Sequence, residues 1–208
     1  MEPFGRLTAI AAPYYFPDVD TDKIIPHRFL RKPLSAGYRN FLFHDERLTP
    51  DGREKPDFVL HKEPFRGARI LIAGRNFGCG SAREGAVYAL HDWGFKAIIA
   101  PSYADFFWEN CLQNGVLPVA LEENVVAGIA RQVEASPGST VSVDLPGQVV
   151  HAPDGASHRF EINSSSKEQL LRGLDNIGLT LQRAAAIEAF ETAYYQRAPW
   201  LTPAALRK

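Results

Sequence analysis

Gly74-Arg75-Asn76-Phe77-Gly78-Cys79-Gly80-Ser81-Ala82-Arg83-Glu84-Gly85 joins two segments of opposite character. Before it runs Arg69-Ile70-Leu71-Ile72-Ala73, short and apolar, which reads as a buried strand. After it comes Ala86-Val87-Tyr88-Ala89-Leu90-His91-Asp92-Trp93, which has helix composition. The glycines therefore sit in a strand-to-helix turn. Glycine there permits positive φ and a close approach by a ligand. The first N–H groups of a helix have no intrahelical partner and suit an anion. The backbone of Gly78, Cys79 and Gly80 is thus an expected cradle, with Ser81 and Arg83 standing at the helix N-terminus. A hydroxyl and a fixed cation in that setting point to a small carboxylate or phosphate.

On the N-terminal side, Leu7 to Ala12 reads as a first strand stopped by Pro13. Asp18, Asp20 and Asp22 then alternate along the chain. A polar turn with local Asx hydrogen bonds accounts for them. A calcium loop does not fit, because no Gly follows and no Glu stands at the twelfth loop position. His27 to Phe43 mixes basic and aromatic residues and is broken by Pro33 and Gly37. It reads either as a surface loop with its aromatics tucked in or as a mobile lid over residues 28–43 that carries cations to an anion. Asp51-Gly52 marks a turn.

On the C-terminal side, Ala97 to Ala100 is a second strand. Ser102 is placed to N-cap a helix from Tyr103 to Asn114, and Val116 to Leu121 is a third strand. A helix over Asn124 to Ala135 follows. This alternation predicts parallel strands with crossover helices. From Ser139 the pattern changes to period two, predicting a small antiparallel meander. Lys167 to Gly173 reads as a short helix, and Ala184 to Gln196 as a C-terminal helix before a tail ending at 208.

The 208 residues suit a single domain of the α/β class, and a net charge of -1 without a basic stripe argues against nucleic acid. No apolar run reaches the length of a membrane span, and no signal-peptide pattern opens the chain. Two cysteines, Cys79 and Cys111, point to a reducing, cytoplasmic setting rather than a disulfide scaffold. They are too few to hold an iron–sulfur cluster, and the histidines show no metal spacing. Arg83 replaces the third glycine of a dinucleotide fingerprint. The Gly-Lys-Ser/Thr of a phosphate loop is absent, and Ser81 is not flanked as in a nucleophile elbow. Cys79, near a helix N-terminus and an arginine, is weighed as a thiol nucleophile, whereas Cys111 reads as core.

Four motifs in order carry a resemblance: Thr21-Asp22-Lys23-Ile24-Ile25-Pro26; Gly74-x-Asn76-Phe77-Gly78-Cys79-Gly80-Ser81-x-Arg83-Glu84; Gly94-Phe95-x-Ala97 through Asp105; and Asn110-x-x-x-Asn114-Gly115-x-Leu117-Pro118. Together they resemble the small subunits of 3-isopropylmalate dehydratase, the swivelling domain of the aconitase superfamily. The resemblance implies β/β/α layers with a mainly parallel sheet. It implies a hydro-lyase of leucine biosynthesis, active only with a large subunit that carries a [4Fe-4S] cluster, and no cofactor in this chain. Ser81 matches the serine base. Arg83 matches a carboxylate-binding arginine, and Asp22 an orienting aspartate. Arg28, Phe29, Leu30 and Arg31 match the residues that sort substrates by their side arm. Phe29 and Leu30 suit an isopropyl group, while Arg31 suits an extra carboxylate.

Two positions depart from the pattern Ser-Ser-Arg-Glu-His: Ala82 removes a hydroxyl beside the base, and Gly85 replaces an imidazole. They leave open a paralogue acting on another hydroxy-diacid or -triacid, such as a citramalate-, malate- or homoaconitate-like acid, or a non-catalytic regulatory subunit.

Overall fold

The computed structural model describes residues 1–203. Its centre is one seven-stranded sheet: β1 Arg6–Tyr14, β2 Ile70–Ala73, β3 Ala97–Ala100, β4 Leu117–Ala120, β5 Thr140–Asp144, β6 Val149–His151 and β7 Ser157–Arg159. The strand order is β4-β3-β2-β1-β5-β6-β7. The four strands from β4 to β1 run parallel, and β5, β6 and β7 continue the sheet antiparallel. The meander therefore continues the same sheet through β1. The first half of β1 pairs with β5, Leu7 opposite Val143, and its second half pairs with β2, Ala12 opposite Leu71.

The helices are α1 Thr21–Ile24, α2 His44–Arg47, α3 Glu84–Trp93, α4 Asp105–Gln113, α5 Glu123–Ala135, α6 Ser164–Arg172, α7 Asn176–Leu181 and α8 Ala184–Arg197. Every residue of β2 and β3 is buried, as continuous apolar runs in a parallel sheet require. α3 and α4 pack on each other, and α5 lies across β1, β2 and β3 with Val126, Ile129, Ala130 and Val133 inward. Burying a side chain such as Ile72 or Ile99 stabilises the fold by about 1.5–3 kcal/mol.

Two expectations are corrected here. β1 does not stop at Pro13; it runs through Pro13 to Tyr14. Ala11 N–H donates to Ser139 O, so Pro13, two residues on, has its nitrogen on the same side, beyond the start of β5. No ladder bond is lost there. Nor does Ser102 cap a helix: α4 begins at Asp105 without a side-chain cap, and Ser102 Oγ instead accepts from Asn76 N–H at 2.9 Å.

Residues 27–41 form three short 3₁₀ turns, His27–Phe29, Leu34–Ala36 and Tyr38–Phe41. Tyr38, Leu42 and Phe43 are buried in the core, so this segment is anchored at its C-terminal end. The far C-terminus is different. No residue of α8 is buried, and Ile177, Leu181, Ile187, Phe190, Tyr194, Trp200 and Leu201 are exposed apolar side chains on the 176–203 arm. The end of the expected C-terminal tail, 204–208, lies outside the described residues.

Candidate active site

Three loops meet beyond the C-terminal ends of β1, β2 and β3, where ligands of open α/β sheets bind. The loop after β2 is clamped between the other two. On one side Gly78 N–H donates to Val19 O at 2.8 Å and Thr21 N–H donates to Cys79 O at 2.9 Å. On the other, Phe77 N–H donates to Ser102 O at 3.0 Å and Ala104 N–H to Phe77 O at 3.2 Å. Asn76 takes a left-handed φ of 55° and donates its side-chain amide to Asp18 Oδ1 at 2.9 Å. The turn is fixed by its neighbours on both sides.

The three aspartates divide their work. Asp20 makes the expected local bond, accepting from Lys23 N–H at 2.8 Å to cap α1. Asp18 instead reaches across to the glycine-rich loop, and Asp22 does both, pairing with Arg83 and accepting from His27 N–H.

Gly78 and Gly80 both take positive φ, 75° and 87°. A side chain at Gly78 would not meet a ligand, however. Its Cβ would lie 2.1 Å from Phe107 Cγ. Core packing alone thus demands glycine at position 78. Gly80 is exposed, and a Cβ there would make only ordinary contacts, with Asp20 Cβ at 3.4 Å and Thr21 Oγ1 at 3.8 Å.

Ser81 is exposed, and its carbonyl accepts from Thr21 Oγ1 at 2.9 Å. Thr21 is buried and pins the serine's backbone, a role that its place beside Asp22 in the sequence did not single out. The Ser81 hydroxyl has no hydrogen-bond partner among the described residues. No histidine or carboxylate among the described residues is therefore hydrogen-bonded to it as an activating relay.

Arg83 precedes the first residue of α3, whose first turn no side chain caps. Its side chain is only 11% exposed and forms an ion pair with Asp22 Oδ1. Arg83 Nη1, the atom that meets Asp22, is buried, while Nε and Nη2 make no hydrogen bond among the described residues, so the guanidinium retains donors for a second acceptor. The guanidinium beside Asp22 holds that carboxyl below the ordinary aspartate value, and the backbone N–H of His27, donating at 3.2 Å, adds to this.

The side-arm candidates diverge. Arg28 is bound to Asp45 through both terminal nitrogens and lies 4.6 Å over the Phe29 ring. It holds the Asp45 carboxyl far below its usual range. Phe29 stacks on Phe41 with centroids 4.5 Å apart. Leu30 is half-buried beside Gly85. Arg31 is exposed, with no side-chain partner among the described residues. Of the two arginines, only Arg31 is uncommitted.

Cys79 is half-buried, and burial together with Asp20 and Asp18 pushes its thiol pKa up, not down. Burial is the largest of these causes, ahead of both aspartates. Cys111 is fully buried in α4. No group of three or more His, Cys, Asp or Glu side chains that could hold a metal comes together among the described residues. No helix among them is long and apolar enough to cross a membrane.

Comparison with known proteins converges on one family. The family model of the aconitase C-terminal domain matches residues 1–124. The LeuD_N model matches 128–164, and the model of the C-terminal domain of 3-isopropylmalate dehydratase small subunits matches 176–204. A 3-isopropylmalate dehydratase small subunit of Paramagnetospirillum magneticum is 48% identical over 201 residues, covering 97% of this chain and all of that protein. One from Gluconacetobacter diazotrophicus is 48% identical over 202 residues, covering 97% of this chain and 98% of its own. A crystal structure of 3-isopropylmalate dehydratase from Methanocaldococcus jannaschii superimposes with a TM-score of 0.63 at 25% identity, covering 89% of this chain and 99% of that one.

Proposed function

The chain belongs to the 3-isopropylmalate dehydratase small-subunit family of the aconitase superfamily, and on that premise we propose that it is the base-bearing half of a cytoplasmic hydro-lyase of leucine biosynthesis. The reaction interconverts 2-isopropylmalate and 3-isopropylmalate through a shared alkene. In the forward half a C–H bond and the adjacent C–O bond break, a C=C bond forms and water leaves. In the return half water adds across the same double bond in the opposite sense.

The observation that supports this reading is an exposed Ser81 hydroxyl standing two residues before the largely buried Arg83 at the head of α3. Ser81 Oγ takes the proton from carbon. Its alkoxide is stabilised by the adjoining backbone and the uncapped first turn of α3. Arg83 grips a substrate carboxylate with the donors that Asp22 leaves unused. Asp22 fixes the guanidinium's direction and does not touch the reacting atoms. Phe29 and Leu30 offer an apolar surface to the isopropyl arm, and Arg31 stands beyond them.

Removing the hydroxyl as water calls for a Lewis acid. Two cysteines, one buried in α4, cannot supply a cluster's ligands. The residues of this chain do not fit a [4Fe-4S] group, which in this reading belongs to a large subunit. That larger partner would close over Ser81 and Arg83.

Reconstitution tests the proposal. The chain alone is expected to be inactive. Mixed with a cluster-loaded large subunit of this family, it should convert 2-isopropylmalate to the alkene and on to 3-isopropylmalate, followed by ultraviolet absorbance and chromatography. A pair that forms a stable complex but turns over no hydroxy-diacid would refute the catalytic reading.

Asp22 gives a narrower expectation. Asp22→Asn removes the charge that aims Arg83, and a misplacement of about 1 Å near the chemistry can cost about 10²-fold. kcat/KM of the pair should fall by about 10- to 100-fold. The melting temperature should move little, because Asp22 is 54% exposed. Unchanged kinetics would remove Asp22 from the site.

A further inference from the structure

We infer that Gly85 is a specificity-positioning residue: by having no side chain, it lets the 29–32 segment settle onto the start of α3 and so sets the depth of the pocket for the substrate's side arm. The inference rests on the hydro-lyase reading and adds to it a residue that touches no substrate.

Gly85 is the second residue of α3 and lies two positions beyond Arg83. A Cβ built on it would lie 3.2 Å from Tyr38 Cε1, 3.4 Å from Leu30 Cδ2 and 3.8 Å from Ile25 Cδ1. Its backbone φ is not in the left-handed region, so conformation does not require glycine here. The contacts do. All three neighbours belong to the stretch that begins at the Asp22 end of the site and carries Phe29, Leu30 and Arg31.

Tyr38 cannot simply step aside. It is buried, its N–H donates to Asp92 Oδ2 at 3.0 Å, and its ring packs edge-on against Tyr88 and Phe41. Its hydroxyl donates to Lys32 O at 2.9 Å. A push on Tyr38 is therefore passed to the backbone next to Arg31. Leu30, half-buried where Tyr38 is buried, is the neighbour able to yield, and its displacement lifts the side-arm segment off the start of α3. Any side chain at position 85 thus alters the space for a branched arm while leaving the Arg83–Asp22 pair in place.

The test uses the reconstituted pair with two substrates that share the diacid core: 2-isopropylmalate, with a branched arm, and citramalate, with a methyl arm. Gly85→Ala is expected to lower kcat/KM for 2-isopropylmalate by about tenfold, within the range that one methylene makes in an apolar pocket. The value for citramalate should change by about twofold or less. The melting temperature should change by only a few degrees, since the gain from a better helix former is opposed by the 3.2 Å contact with Tyr38. In a Leu30→Ala background, Gly85→Ala should shift the ratio between the two substrates less.

An equal loss on both substrates, or no change in their ratio, would overturn the inference while leaving the catalytic reading intact. A wild-type pair that turns over neither acid overturns both.

Discussion

Ser81→Ala should reduce turnover of the reconstituted pair by about 10²–10⁴-fold, the range expected when a positioned proton-transfer group is removed. The loss should fall on kcat, because Ser81 acts on the carbon-bound proton while Arg83 holds the carboxylate. KM should stay near its wild-type value. The fold should not notice: Ser81 is exposed, its hydroxyl bonds nothing within the described chain, and the bond from Thr21 goes to its carbonyl, which alanine keeps. A surface change of this kind stays within about 0.5 kcal/mol. Steady-state kinetics on wild type and variant, with a melt of each, separates the two effects. Activity within about tenfold of wild type would rule Ser81 out as the base.

Gly78→Ala should do the reverse and strike the fold. Its Cβ would sit 2.1 Å from Phe107 Cγ, and Phe107 is fully buried edge-on against Phe77. Overpacking of a tight core costs about 1–3 kcal/mol. The left-handed φ of 75° adds about 1–2 kcal/mol for any residue with a Cβ. A combined loss of about 2–5 kcal/mol should lower the melting temperature by roughly 5–20 °C in a chain of this size. Gly80→Ala is the internal control. It carries the same kind of φ, 87°, but its nearest contact is Asp20 Cβ at 3.4 Å. It should lose only the conformational part. Equal melting temperatures for the two variants would mean that Phe107 does not set the identity of residue 78.

These two glycines show where the sequence was legible and where it was not. The strand–turn–helix order around 74–85 was readable because the apolar run Ile70–Ala73 and the helix-forming run from Ala86 carry their own signals. The placement of Ser81 and Arg83 at the head of α3 followed from that order. The reason for Gly78 did not, because Phe107 lies in another helix and nothing local to the turn announces it. The joining of the meander to the parallel sheet was likewise hidden: it depends on β1 pairing with β5 across the whole intervening chain. A proline looks like a stop until the side of the strand its nitrogen faces is known, as at Pro13. Ser102 has the chemistry of a helix cap, but the backbone N–H of Asn76 reaches it first. The charge environment of Cys79 was misjudged for the same reason. The arginine is near in sequence, but burial and then Asp20, which pairs alongside Cys79 in space, raise the thiol. Of the basic residues after Pro26, composition could not tell Arg28, held by Asp45, from Arg31, which is not.

The arm at 176–203 carries a consequence for handling the protein in solution. Ile187, Phe190 and Tyr194 recur at helical spacing and lie in water, as do Trp200 and Leu201 beyond them. Exposed apolar surface of this kind favours self-association as concentration rises. The ceiling on concentration for the isolated chain is therefore set by the 176–203 arm, not by its well-filled core. It is a colloidal property, and conditions chosen to strengthen the fold will not raise it.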